Sequence, residues 1–489
     1  MAAKVCLAVD LGAGSGRVLA GVYRDATLTL RELNRFPSEA ARAADGWHWD
    51  FPKLLGHVKA GLALALAEYG PQVVSLGVDT WGVDYGLLGA DGELLANPFQ
   101  YRDARTDGMM ARAYDLMPRA EIYRRTGIQF MFFNTLYQLL AERRLADADC
   151  LLFMPCLINY LLTGKKMNER TIASTGQLLD ARTQRWDRAL LAAMGFPAKI
   201  FGALVDAGTV IGPLSAAVQH EVGATALQVI APGCHDTASA VAGVPADGDG
   251  AGTVFLSSGT WSLMGRELAA PVVTPESFAA GFSNETGVCG TTRFLKNIAG
   301  MWLLQECKRV WDADGGAPDY AAIARQAADA DAFVSLIDPD AAEFQAPAHM
   351  PAAIVNFCRA TGQPAPSTAG QFARCIFESL ALKYRVTLAQ LEQLTGAPAA
   401  ALHIVGGGAQ NTLLNQLAAD ATGRPVIAGP VEATSIGNIL LQLIALGELP
   451  SLAAGRALAR RSFATQTYRP RHPAAWEAVA ARFAALPGR

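Results

Sequence analysis

Apolar and polar positions along the chain alternate in blocks that read as short buried strands and amphipathic helices. Residues 5 to 23, VCLAVDLGAGSGRVLAGVY, form an apolar run, a glycine-rich turn and a second apolar run, the pattern of strand, turn and strand. GWHWDFPKLLGHVKAGLALALAEYG follows with apolar residues at helical spacing. PQVVSLGVDTWGVDYGLLGADGELL then reads as a strand, a Trp-Gly corner and a hairpin turning at Ala90-Asp91-Gly92. TGIQFMFFNTLYQLLAERR, residues 126 to 144, starts as an aromatic loop and becomes a helix. MPCLINYLLTGKKMNERTIASTGQLLD, residues 154 to 180, holds a helix ending at Gly164 and a Ser/Thr-rich stretch. LQVIAPG is a strand stopped by Pro232 and Gly233, and Thr237 to Val241 continue without a breaker as the start of a helix.

GVPADGDGAGT, residues 243 to 253, offers almost nothing to pack and is expected to join two domains. Directly after it, GTVFLSSGTWSLMGRE repeats the strand, turn and strand plan of the N-terminus. TRFLKNIAGMWLLQECKRV is expected to be one helix, with Asn297 near its start and Gln305 near its middle, and residues 312 to 365 to be helices with long loops. QFARCIFESLALKYRVTLAQLEQLTG is a long amphipathic helix. ALHIVGGGAQNTLLNQLAADATGRPVIAG reads as strand, glycine turn, helix and strand, with VEATSIGNILLQLIALG and WEAVAARFAALPGR as further helices. Strands alternating with helices place the chain in the α/β class.

Composition narrows the function. The 489 residues are 51% hydrophobic and 17% charged with a formal net charge of −3, and Lys and Arg are scattered, so no nucleic-acid partner is expected. No apolar run approaches the ~20 residues a membrane span needs, and MAAKVCLAVDLG lacks the segments of a signal peptide. A cytoplasmic protein with no membrane partner is expected. The eight cysteines show no CxxC pair and no Cys/His cluster at metal spacing, and read as reduced core thiols; Cys234 adjoins His235.

Candidate chemistry centres on Asp236 in APGCHDTASAV, an acid between a buried strand and the start of a helix, where unpaired N–H groups favour negative charge. Helix capping is the plainer reading of that position. The glycines at 12, 14 and 16 are followed by a strand, which excludes a dinucleotide loop and leaves a hairpin whose bare backbone can approach phosphate oxygens. Asp10 at its entrance suits a hydrated Mg²⁺, and Ser15 and Arg17 are side-chain donors, although on this stretch alone an ordinary glycine-rich hairpin is the plainer reading. Asp79 and Asp84 flank Trp81 as acceptors and an aromatic face for a sugar, or serve as turn residues. Arg102, Asp103 and Arg105 either close that pocket or pair on the surface. Asn134, Thr135 and Gln138 are polar in an apolar setting, which is costly without partners. The glycines at 406 to 408 precede a helix, which admits a dinucleotide loop, but the acidic partner on the second strand is missing; an adenosine slot, where a flat base needs backbone without a Cβ, fits better.

The motifs DLGAGSGR, VDTWGVDYGLL, YRDART, GCHDTASAV, SSGTWSLMG, LKNIAGMWLLQ and HIVGGGAQNTLLNQLAADATG, in this order from residue 5 to about residue 450, resemble the FGGY carbohydrate kinases. FNTLYQL and VDTWGVD point to one branch, because others usually place Lys where Gln138 stands. The resemblance implies an α/β protein of two actin-like (ribonuclease H-like) domains with a catalytic cleft between them. Residues 1–245 would carry the sugar site, the phosphate loop and the catalytic acid, and residues 246–489 the adenosine site. It implies ATP and Mg²⁺, with the phosphates against Ala13, Gly14, Ser15, Gly16, Arg17 and Thr260 and the adenosine near Gln305 and Gly407. A ketose would contact Gly82, His235, Thr237 and Asn297, with Asp236 as general base for its 1-hydroxyl. Gly14 departs from the Ser common in this branch, removing a hydroxyl but keeping the backbone N–H. The rival readings are a family member acting on xylulose, fuculose, gluconate or glycerol, and an actin-like ATPase, which needs no acid placed for an alcohol. Oligomeric state is not implied.

Overall fold

The computed structural model describes residues 3–223, 227–248, 250, 252–316 and 318–487. The chain opens with strands β1 (Lys4–Leu11), β2 (Ser15–Arg24) and β3 (Thr27–Pro37), helix α1 (Phe51–Tyr69) and strand β4 (Val73–Thr80). Helices α2 (Thr135–Ala141), α3 (Met154–Thr163) and α4 (Arg170–Thr175) follow, then β5 (Thr209–Pro213), β6 (Gln228–Ala231) and α5 (Asp236–Ala242). The second half contributes β7 (Val254–Ser258), β8 (Trp261–Leu268), β9 (Ser283–Thr286), β10 (Thr292–Ala299), α6 (Trp302–Ala313), α7 (Ala369–Thr395), β11 (Leu402–Val405), α8 (Thr412–Thr422) and β12 (Val426–Ala428). It ends with α9 (Ala433–Ala445), α10 (Leu452–Ser462), β13 (Gln466–Tyr468) and α11 (Pro473–Ala484).

These elements form two units. The first comprises Met1–Ala251, Glu267–Phe294 and Ala433–Phe463; the second Gly252–Arg266, Leu295–Glu432 and Ala464–Arg489. α9 and α10, late in the chain, belong to the first unit. The expected joint at 243–253 lies at its edge, with positions 249 and 251 outside the described residues.

In the first unit the sheet order is β5-β6-β4-β1-β2-β3. β1 to β3 are an antiparallel meander, β4 and β6 run parallel to β1, and β5 is an antiparallel edge. β1 lacks polar alternation because both of its faces are buried. Val5, Leu7, Val9 and Leu11 join the cluster that holds Leu54, Val58 and Leu62 of α1, while Cys6 and Ala8 face Ile436, Ile439, Leu440 and Leu443 of α9. Small residues on the second face let α9 approach: a Cβ on Gly77 would lie 2.5 Å from Asn438 Oδ1.

The second unit repeats this plan, with β10-β8-β7-β11-β12-β13 as neighbours. β7 and β8 are antiparallel, β11 and β12 run parallel to β7, and β13 is an antiparallel edge. The strand, turn and strand start expected at GTVFLSSGTWSLMGRE is present as β7 and β8. The 27-residue α7 carries the Thr368/Gln371 capping box at its start.

Two local expectations need correction. TRFLKNIAGMWLLQECKRV is a strand, β10, then Gly300, then α6; Thr292, Phe294 and Ile298 share one face of an extended chain, and Gly300 separates the two halves. The helix expected across GWHWDFPKLLG starts only at Phe51, capped by Asp50 accepting from Lys53 N at 3.2 Å, and Gly46–Trp49 is a strand. Among the described residues no helix is long and apolar enough to cross a membrane.

Candidate functional site

The carboxyl ends of β1, β4 and β6 meet in the first unit. Thr80 N donates to Cys234 O at 2.9 Å and Trp81 N to Leu11 O at 3.1 Å, so the glycine hairpin, the Trp-Gly corner and the Asp236 turn lie side by side. Ligands of open α/β sheets bind at such strand ends. Asp236 is the first residue of α5, and His235, not Asp236, is the cap residue. The Asp236 Oδ1 accepts from Thr237 N at 2.5 Å and from Thr237 Oγ1 at 3.1 Å. Its side chain is 30% exposed, whereas Cys234, His235 and Thr237 are buried. Burial raises its pKa; His235 opposes this and the Asp10 charge adds to it.

The turn is held from three directions. Glu169, fully buried, accepts from Thr171 N (2.8 Å), Thr171 Oγ1 (2.6 Å), Ile172 N (3.2 Å) and Cys234 N (3.2 Å), tying the start of α4 to the Asp236 turn. Thr171 Oγ1 in turn accepts from His235 N at 3.2 Å. Burial drives the Glu169 carboxyl up to about 7 against these donors. On a second side His235 Nδ1 lies 3.1 Å from Glu285 of β9 and 3.1 Å from Arg293 of β10, and its Nε2 lies 3.3 Å from Asp236 Oδ1. On the third, α9 crosses α5 so tightly that a Cβ on Gly437 would sit 2.8 Å from Gly243 N and closer still to Ser239 O.

At the hairpin, Gly12 N donates to Ser15 O at 3.0 Å, leaving Gly14 and Ser15 exposed. Asp10 and Arg17 are directly opposite in the β1/β2 register, and Asp10 Oδ2 accepts from Arg17 at 2.7 and 3.0 Å. The guanidinium is thus turned onto Asp10. Asp79, fully buried, accepts from Asn438 Nδ2 at 2.6 Å through Oδ2, while its buried Oδ1 has no hydrogen-bond partner. Burial raises Asp79 well above the usual carboxylate range, and the Asp10 and Asp236 charges push the same way. Among the described residues no group of three His, Cys, Asp or Glu side chains is placed to cage a metal ion. Asp10 and Asp79 are register partners on β1 and β4, and Asp79 Oδ1 has no hydrogen-bond partner; these are oxygens that a Mg²⁺ carried largely by water and phosphate would use.

Asp84 proves to be an interior support. It is 0% exposed; its Oδ2 accepts from Trp49 Nε1 (2.7 Å) and Trp81 Nε1 (2.9 Å), and its Oδ1 from Gln138 Nε2 (3.0 Å). Burial lifts it to about 6, and these three donors restrain the rise. Between Gly82 and Asp84, Val83 adopts φ +69°, rare for a β-branched residue. Thr175 Oγ1 accepts from Val83 N at 3.0 Å and Thr135 Oγ1 donates to Val83 O at 2.6 Å, which hold it there. Asn134 donates to Gln129 O and Gln177 Oε1, and Arg105 to Gln138 Oε1, so the polar residues of that helix and loop are accounted for by partners.

The second unit gathers its own candidates. Met301 N and Trp302 N donate to Gly259 O and Thr260 O, latching the β7/β8 turn to α6, which carries a half-buried Gln305. Gly406 has φ +83° and Gly408 is packed against Ser258, whereas nothing approaches the exposed Gly407. Asn297 is partly buried on β10.

Sequence reasoning passed over Glu169, Glu285, Arg293 and Asn438. Glu169 had a local signal, an acid two residues before Thr171 at a helix start. Arg293 was hidden when β10 was read as a helix.

The FGGY family of carbohydrate kinases matches in both parts, its N-terminal domain at residues 5–243 and its C-terminal domain at 254–446. A rhamnulokinase of Bacteroides thetaiotaomicron is 48% identical over 482 residues, covering 97% of this chain and 98% of its own. One from Pectobacterium carotovorum is 44% identical over 496 residues, covering 99% and 97%. Among solved structures, a gluconate kinase from Lactobacillus acidophilus superposes with a TM-score of 0.81 at 15% identity over 99% of this chain and 97% of its own. A ligand-bound xylulose kinase from the same organism gives 0.80 at 16%, covering 98% and 97%. Likeness at such identity speaks to the fold alone.

Proposed function

The chain belongs to the FGGY family of carbohydrate kinases, and from that premise we propose that it transfers the γ-phosphoryl group of ATP to the 1-hydroxyl of L-rhamnulose. The products are L-rhamnulose 1-phosphate and ADP, as in L-rhamnose catabolism. The full-length relatives named rhamnulokinase support the choice of sugar. The observation that carries the chemistry is the Asp236 carboxylate, partly exposed at the head of α5 while the turn around it is buried.

In this reading Asp236 accepts the proton of the sugar hydroxyl as its oxygen attacks the γ-phosphorus. Ala13, Gly14, Ser15, Gly16 and Arg17 meet the phosphates, as does Thr260, while Gln305 and Gly407 serve the adenosine. Gly82, His235, Thr237 and Asn297 shape the sugar site, the buried His235 and Thr237 mainly through Asp236. Asp10 and Asp79 are the residues that would hold Mg²⁺, which when bound supplies positive charge to the phosphates. The protein works in the cytoplasm, a reading supported by eight cysteines that all carry free thiols.

The test is ATP-dependent phosphorylation across a panel of ketoses and polyols. Turnover is expected to be highest on L-rhamnulose. A clear preference for xylulose, fuculose, gluconate or glycerol would move the assignment within the family, and ATP hydrolysis that sugar does not stimulate would remove the kinase reading.

A further inference from the structure

We propose that Arg293 and Glu285 act as positioning residues that set the tautomer of His235, so that its Nε2–H faces Asp236. Arg293 is 0% exposed; its Nε donates to Thr286 O at 3.1 Å, and one terminal nitrogen reaches both Glu285 Oε2 (3.0 Å) and His235 Nδ1 (3.1 Å). Nδ1 thus has a donor-only group and an acceptor-only group at the same distance, and the direction of the hydrogens decides between them. The Arg293 N–H is aimed at Nδ1, whereas no N–H is aimed at Glu285 Oε2. Nδ1 accepts, so the ring proton is on Nε2, 3.3 Å from Asp236 Oδ1. Glu285 balances the charge of the buried guanidinium.

Asp236 Oδ1 then has three donors around it: Thr237 N, Thr237 Oγ1 and His235 Nε2. Three donors on one oxygen fix the carboxylate plane and favour its ionised form against burial, which leaves Oδ2 as the atom presented to the acceptor hydroxyl. With the other tautomer, a bare Nε2 lone pair would face Oδ1 and turn the carboxylate away. The catalytic consequence rests on Asp236 as base of the proposed phosphoryl transfer; the tautomer itself does not.

Full-length protein labelled with ¹⁵N-histidine, examined by long-range ¹H–¹⁵N correlation and assigned with a His235→Gln variant, reports the tautomer without any assay of activity. The Nε2–H pattern is expected for His235, and an Nδ1–H pattern would overturn the proposal. In Arg293→Met, Nδ1 is expected to take the proton and donate to Glu285. The turnover number should then fall about 10- to 100-fold, as for other residues that orient a functional histidine, while KM for ATP stays within about threefold. Adding Glu285→Gln supplies an amide donor to Nδ1 and should restore both the Nε2–H signal and most of the lost turnover. A folded Arg293→Met protein with the parent tautomer and turnover, or a double variant with neither recovered, counts against the proposal. Should Arg293→Met fail to fold, the spectrum of the parent still decides. If the enzyme does not phosphorylate L-rhamnulose while His235 shows the Nε2–H pattern, the function fails and the positioning stands.

Discussion

Replacing Gly437 by alanine sets two effects against each other at the back of the site. Alanine is favoured over glycine in a helix interior by about 0.8–1 kcal/mol, so sequence alone expects Gly437→Ala to stabilise α9. In the structure the new Cβ would lie 2.8 Å from Gly243 N, 2.8 Å from the Ser239 carbonyl carbon and closer still to Ser239 O. Comfortable carbon contacts need about 3.5–4.0 Å, and all three neighbours are backbone, so α5 and α9 must part by roughly 1 Å. Overpacking of this kind costs about 1–3 kcal/mol, and the helix gain offsets only part of it. Asp236 begins α5, and a shift of about 1 Å in a reacting group costs on the order of 10²-fold in rate. The variant should therefore unfold at lower urea and turn over more slowly. Gly56→Ala in α1 is the control, because nothing lies within 4 Å of its Cβ; it should gain up to about 1 kcal/mol with unchanged turnover. A Gly437→Ala protein as stable as Gly56→Ala and as active as the parent would refute the account of how α9 seats the Asp236 helix.

Three further outcomes are expected. Asp236→Asn should keep nucleotide binding but lose turnover by about 10²–10⁴, measured by nucleotide titration beside steady-state rates; near-full turnover would remove it as the base. Asp84 has its folded pKa raised to about 6 from an ordinary 3.8. Its contribution to stability is therefore complete below pH ~4 and lost as pH rises through about 6, on the order of 3 kcal/mol. The gap in unfolding free energy between the parent and Asp84→Asn should accordingly shift in favour of the variant from pH 4 to pH 7, and a constant gap would contradict the buried-carboxylate reading. Asn438→Leu removes the Nδ2 donor from Asp79 Oδ2; a loss of about 1–3 kcal/mol in chemical denaturation is expected, and no loss would mean that water replaces the amide.

The apolar runs, the glycine corners and the isolated acid at position 236 were all legible in the chain, because strand and helix periods and turn residues are local properties. They sufficed for the α/β class, for the repeated strand, turn and strand starts, and for the candidate acid. A periodicity says that a residue is buried, but not which residue it is buried against. Asp79 and Asp84 looked alike in VDTWGVD; tertiary structure gave Asp84 three donors and left one oxygen of Asp79 without any. Arg293 meets His235 from 58 residues away and Glu169 meets Cys234 from 65. The return of α9 to the first unit, which seats α5 and anchors Asp79, depends on Gly437 and Asn438 finding their partners across the fold. Local pattern placed most of the elements and singled out the acid, but not the strands at Gly46–Trp49 and Thr292–Ala299; which side chains hold that acid in place emerged only on folding, because a hydrogen bond depends on distance and direction between groups that no local pattern relates.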